Sequence, residues 1–134
     1  MPWTLPAARR RPTDLGLHDG RLRACPNKPN CVNSQSDDPA HVIEPILYEG
    51  SRDSARDRLL RVLADDRRAT VIAEDPDYVH AEYQAAIFID DVEFYLPDDA
   101  DRIHVRSASR VGHSDMGANR RRVEAIRTAF ASAE

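Results

Sequence analysis

The sequence predicts an α+β domain, with an antiparallel sheet of about four to five strands and two amphipathic helices packed on one face of it. Three observations lead there. Apolar residues recur at helical spacing in one stretch after Ser51 and in another after Asp115. Between these stretches, from Ala69 onward, the spacing changes to the alternation of half-buried strands. The last two strand patterns also fit together as a hairpin whose two faces are each chemically consistent.

A length of 134 residues is one domain's worth. Hydrophobic residues are 41% and charged ones 31%, which allows an adequate but not generous core. Lys+Arg 19 against Asp+Glu 23 gives a net charge of -4, which argues against a dedicated nucleic-acid binder. No apolar run approaches the length of a membrane span, so no integral membrane segment is expected. The single lysine is Lys28, so nearly every cation is a planar arginine fork suited to carboxylates and phosphates.

Residues 1–20 read as a flexible N-terminal arm, with Trp3 or Leu5 touching the body, and residues 21–134 as the single domain. No apolar stretch follows Arg9–Arg11, so no secretory signal is expected and the location expected is cytoplasmic. Cys25-Pro-Asn-Lys-Pro-Asn-Cys31-Val-Asn-Ser-Gln35 must be a loop, because Pro26 and Pro29 lack donors and Asn supports turns. Its cysteines would close a small disulfide ring or remain thiols. A zinc site would need ligands such as His18 or His41 besides, and thiols are the plainer expectation in a reducing compartment.

Val42 to Tyr48 reads as extended, with Pro45 marking an edge or a bulge. Ser51 caps a helix, Asp53 favours its dipole, and Ala55, Leu59, Val62 and Leu63 form its apolar stripe. Strands follow at Thr70–Glu74 and Tyr78–Gln84. In the run from Ala85 to Leu96, Ile87 and Ile89 share one parity and Val92, Phe94 and Leu96 the other. That pattern predicts a bulge or corner at Asp90-Asp91. A turn centred between Asp99 and Ala100 then places Leu96, Phe94 and Val92 opposite Ile103, Val105 and Ser107 on a core face. On the other face Tyr95 meets His104, Asp91 meets Ala108, and Glu93 meets Arg106 as a cross-strand ion pair. Ser114 or Asp115 caps the final helix, whose stripe is Val123, Ile126, Phe130 and Ala133.

The candidate site is the loop Arg106–Arg120, which runs from a strand end to a helix N-terminus, where free N–H groups favour anions. The expected ligand is a small anionic molecule or a partner, held by Arg106 and Arg110 with Arg120 and Arg121 converging. Asp90, Asp91 and Glu93 would orient them, and no cofactor is expected. Two alternatives stand beside it. One is a small hydrolase-like or metal-dependent enzyme built on Asp90, Asp91 and Ser109, with His113 as a base, or with His80, Glu82 and His104 as metal ligands. The other is a purely structural or assembly role, with the charges locking the loop to the sheet.

Three segments resemble one family, the domain of unknown function 1499: Cys25-Pro-Asn-Lys-Pro-Asn-Cys-Val-Asn-Ser-Gln35, Asp90-Asp-Val-Glu-Phe94, and Arg106-Ser-Ala-Ser-Arg-Val-Gly-His-Ser-Asp-Met-Gly-Ala-Asn-Arg120. The resemblance spans about Asp14 to Phe130. It implies a small domain, often exported by a leader to an envelope or plastid, and supplies no established activity. The matching positions are Cys25, Cys31, Asp90, Asp91, Glu93, Arg106, Ser107, Ser109, Arg110, Asp115, Asn119 and Arg120.

Overall fold

The computed structural model describes residues 10–133. In chain order the elements are β1 (Leu17–His18), β2 (Arg21–Leu22), β3 (Cys31–Asn33), β4 (Ile46–Leu47), α1 (Arg52–Ala64), β5 (Ala69–Glu74), β6 (Tyr78–Ala85), β7 (Phe88–Tyr95), β8 (Arg102–Ser109) and α2 (Ala118–Ser132). The main sheet is six-stranded, ordered β3-β8-β7-β6-β5 with β4 also on β8, and all its strand pairs are antiparallel. β1 and β2 form a separate two-stranded hairpin.

The fold class stands, with more strands than expected. β5 to β8 form a meander, and the β7–β8 register pairs Phe94 with Val105, Val92 with Ser107 and Glu93 with Arg106, as the alternation required. No corner interrupts the chain at Asp90-Asp91, because the β6–β7 ladder runs unbroken from Tyr78↔Tyr95 to Ala85↔Phe88. Ile87 lies in the hairpin tip beside Ala86 at φ 55 and is 66% exposed, so its parity never needed to match the core. The irregularity lies instead in β5, between Val71 and Ala73.

Two local expectations are corrected. Cys31–Asn33 was expected as loop, yet forms an edge strand on β8, with Cys31 opposite Ala108 and Asn33 opposite Arg106. Of Val42–Tyr48 only Ile46–Leu47 pairs as a strand, and Val42 makes a lone parallel bridge to Asn33. Pro45 has no N–H to extend the ladder.

Ser51 caps α1 by accepting from Ser54 N–H at 3.0 Å. Ala55, Leu59 and Leu63 of α1 and Val123, Ile126 and Phe130 of α2 join Val79, Ala81, Val92, Phe94 and Val105 of the strands in one core. Both helices therefore cover the same sheet face. Each fully buried Leu or Phe there contributes about 1.5–3 kcal/mol. α2 begins later than expected, at Ala118, with Gly117 at φ 83 before it. Asp115 still satisfies the helix start, accepting from Gly117 N–H at 2.8 Å and from Asn119 N–H at 3.0 Å.

The opposite face is closed by the segment expected to be a free arm. From residue 10 onward it lies on the sheet: Arg11 bonds Glu82 at 2.6 Å, Gly16 N–H donates to Glu93 at 2.6 Å, and Leu22 is 4% exposed. Trp3, Leu5 and Arg9, the first residue of the Arg9–Arg11 run, lie outside the described residues. Cys25 and Cys31 are joined in a disulfide rather than held as thiols, with Cα atoms 5.6 Å apart.

Candidate functional site

Alternation along β6, β7 and β8 sends the polar residues to both faces, so the residues singled out from the sequence divide into two clusters. Asp90, Ser107, Ser109, Asp115 and Asn119 lie on the helix side. Asp91, Glu93, Arg106 and Arg110 lie on the face closed by the N-terminal segment.

On the helix side Asn119, fully buried, is the hub. Its carbonyl oxygen accepts from Ser107 Oγ at 2.6 Å and from Arg122 Nη1 at 2.9 Å. Its amide donates to Ser109 Oγ at 2.9 Å, Asp115 Oδ2 at 2.7 Å and the Asn30 carbonyl at 3.2 Å. Arg122 completes the cluster with Asp90 Oδ2 at 2.8 Å. Burial tends to raise the Asp115 carboxyl, but the Asn119 and Gly117 hydrogen bonds outweigh it and hold the group below its usual range. Sequence reasoning missed Arg122, although it stands one turn after Asn119 and beside Val123, on the side of α2 that faces the sheet.

On the other face Arg110, its side chain 2% exposed, grips Asp91 through Nε at 2.8 Å and Nη2 at 2.9 Å, and Glu82 at 2.5 Å. His80 Nε2 lies 2.8 Å from Asp91 Oδ1. Burial pushes the Asp91 and Glu82 carboxyls upward, yet their hydrogen bonds to arginine (and, for Asp91, to His80) dominate and hold both below the usual range. The ligand atoms of His80, Glu82 and Asp91 lie within 4.8 Å of one another, a spacing that suits a metal ion. The Arg110 guanidinium already supplies the cation there, bonded to both carboxylates.

Arg106 and Glu93 differ from this saturated pattern. Glu93 Oε2 accepts from Tyr78 OH at 2.5 Å and from Gly16 N–H, while Oε1 has no hydrogen bond and stands 3.7 Å from Arg106 Nη1. Burial, reinforced by Glu93, pushes the Tyr78 hydroxyl far above its usual range. The Arg106 side chain is 3% exposed. Among the described residues its guanidinium makes no hydrogen bond at all, and burial lowers its pKa. It borders a cavity of about 200 Å³, whose walls include Arg23, Lys28, Asn30 and Asp91. A larger cleft of about 930 Å³ between β4 and α2 contains none of the buried polar atoms without partners.

The remaining expectations fare unevenly. Arg110, Arg120 and Arg121 do not converge: Arg120 reaches the Val42 carbonyl at 3.0 Å and Arg121 the Met116 carbonyl at 2.7 Å. Positions 120 and 121 follow the helix around its axis, away from the strand that holds Arg110. Asp90 and Asp91 point to opposite faces, so they do not form an acid–base pair with Ser109. His113 is exposed, and the Ser109 hydroxyl is engaged by Asn119. His104 bonds Ser34 Oγ at 3.0 Å and stacks on Tyr95, apart from the His80 group. Among the described residues no helix is long and apolar enough to cross a membrane.

These features define a small α+β domain whose sheet buries an apolar face under two helices and a charged face under an N-terminal strap. A family model described as "Protein of unknown function (DUF1499)" matches residues 21–130, and the chain belongs to that family. No curated protein and no solved structure matches the chain.

Proposed function

We propose that this domain is a non-enzymatic module that binds a small oxyanion, a carboxylate or a phosphate, at Arg106. The observation that carries the reading is a guanidinium almost wholly buried, without a hydrogen bond, on the wall of a cavity. Arg106 has an ion-pair partner in Glu93 at 3.7 Å but no hydrogen bond, and a buried polar group without one costs on the order of 1–3 kcal/mol; an anionic ligand would supply the acceptors that Glu93, engaged by Tyr78 and Gly16, does not. Lys28 on the same cavity wall adds positive charge, whereas Arg23 is paired with Asp14 at 3.0 Å and Arg110 is saturated and belongs to the frame. The site is thus narrower than the Arg106–Arg120 loop expected from sequence, and draws on the loop before β3 instead. The cytoplasmic location expected from sequence meets a counter-indication in the disulfide, since such bonds persist mainly in oxidising surroundings.

The test is the thermal midpoint of the full chain against rising inorganic phosphate and acetate, with Arg106→Met alongside. A ligand of the folded state raises the midpoint in a saturable way. The expected result is a shift in the natural chain that is absent from a folded Arg106→Met. No shift with either anion, or an equal shift in the variant, would leave Arg106 a purely structural charge.

A further inference from the structure

We propose that the Cys25–Cys31 disulfide is a redox-governed clamp on the Arg106 cavity, so that its reduction releases residues 26–29 and weakens anion binding. The inference rests on the reading of Arg106 as an anion site and adds its regulation. Cys31 is buried in β3, opposite Ala108 and hence beside Arg106 on β8 and Arg110 just past its end. Cys25 is only half-buried, which leaves the bond open to attack from solvent. The loop between them brings Pro26, Lys28 and Asn30 to the cavity wall.

The two ends of this loop are held differently. Asn30 is fixed without the disulfide: its amide donates to the Gly112 carbonyl at 2.9 Å, and its own carbonyl accepts from Ser109 N–H at 3.0 Å. Residues 26–29 are exposed, and among the described residues their one backbone hydrogen bond is internal, from Lys28 N–H to the Pro26 carbonyl at 2.8 Å. Pro26 and Pro29 have no N–H with which to reach the body. Before the loop the last hydrogen-bonded anchor is the Arg23 carbonyl, which accepts from Asn33 Nδ2 at 2.9 Å, and between Arg23 and Asn30 the disulfide through Cys25 is the tie that holds Lys28 over the cavity.

The reductant required is a small dithiol or a dithiol protein. Its thiolate attacks one sulfur, the Cys25–Cys31 bond breaks, and the second thiol of the reductant resolves the mixed disulfide. Two cysteine thiols form and the reductant leaves as a disulfide, two electrons and two protons having passed to the chain.

Calorimetric titration of inorganic phosphate into the full chain, oxidised and then reduced with a dithiol, tests the clamp when combined with amide hydrogen exchange. Reduction is expected to weaken phosphate binding by about tenfold, equivalent to roughly 1.4 kcal/mol. Exchange at Lys28, whose N–H donates to the Pro26 carbonyl, should quicken while β7 and β8 keep their protection, and reoxidation should restore both. Cys25→Ser with Cys31→Ser should resemble the reduced chain, and the reduced natural protein serves if that variant fails to fold. Equal affinity and equal exchange in the two redox states would overturn the clamp and leave the anion site intact. Loss of protection throughout β7 and β8 would also overturn it, by making the bond a global staple. Absence of phosphate binding to the oxidised chain would instead remove the site on which the clamp acts.

Discussion

Replacing Arg110 with methionine removes a cation while keeping most of the side-chain length. Among the described residues the substitution deletes two hydrogen bonds to Asp91 and one to Glu82, all from a side chain 2% exposed. Asp91, itself 2% exposed, would keep only the His80 contact at 2.8 Å. Breaking a buried pair from one side costs about 3–5 kcal/mol, and the surviving His80 bond places the expected loss near the lower end, about 3 kcal/mol. For a domain of this size that is on the order of 10 °C in thermal midpoint. Urea unfolding at pH 7 of the natural chain and of Arg110→Met reads the loss directly. Adding Asp91→Leu should recover much of it, because an apolar pair leaves no carboxylate buried without its cation. A loss under about 1 kcal/mol, or a double variant weaker than the single one, would refute the argument that this charge cluster is desolvated and mutually dependent.

Other outcomes follow from the same geometry. Asn119→Ala removes the hub joining Ser107, Ser109, Asp115 and Arg122, and should cost about 2–4 kcal/mol in urea unfolding, with exchange quickened first at the start of α2. Gly117→Ala should cost about 1–2 kcal/mol, since φ is 83 and a Cβ would stand 2.9 Å from Arg121 Nη1; an unchanged midpoint would contradict that strain. Asp91, Glu82 and Asp115 are held below their usual carboxylate range, so each contributes stability that is present above the unfolded value of about 4 and lost as pH falls through the folded one. Unfolding free energy should therefore decline from pH 5 toward pH 2, and a flat profile over that window would show the three carboxylates to be solvated.

The parts of the fold legible in the sequence are those whose signal is local. The β7–β8 register could be read because Val92, Phe94 and Leu96 alternate strictly with polar residues and meet a matching alternation across a short acidic turn. The same alternation made the Glu93–Arg106 pair readable before any coordinates. Cys31–Asn33 was not legible as a strand, for three residues after a proline carry no period, and their partner Ala108 lies far along the chain. The strap escaped notice for a similar reason: β1 and β2 are two residues each, and Gly16 is held by a backbone donor that no side chain announces. Within the site, Arg106 and Arg110 look alike as sequence. Only the distances show one saturated by carboxylates and the other without a hydrogen bond.

The cavity's walls come from stretches far apart along the chain. Lys28 and Asn30 emerge early, whereas Asp91 and Arg106 follow much later, and the tie from Asn30 to Gly112 spans 82 positions. The meander of β5 to β8 joins neighbours in sequence and closes short loops, so it can assemble quickly. The early segments must wait for β8 to leave the ribosome before they have an edge on which to dock. The cavity wall at Arg106 is therefore completed only once β8 is present to receive β3 and the loop before it.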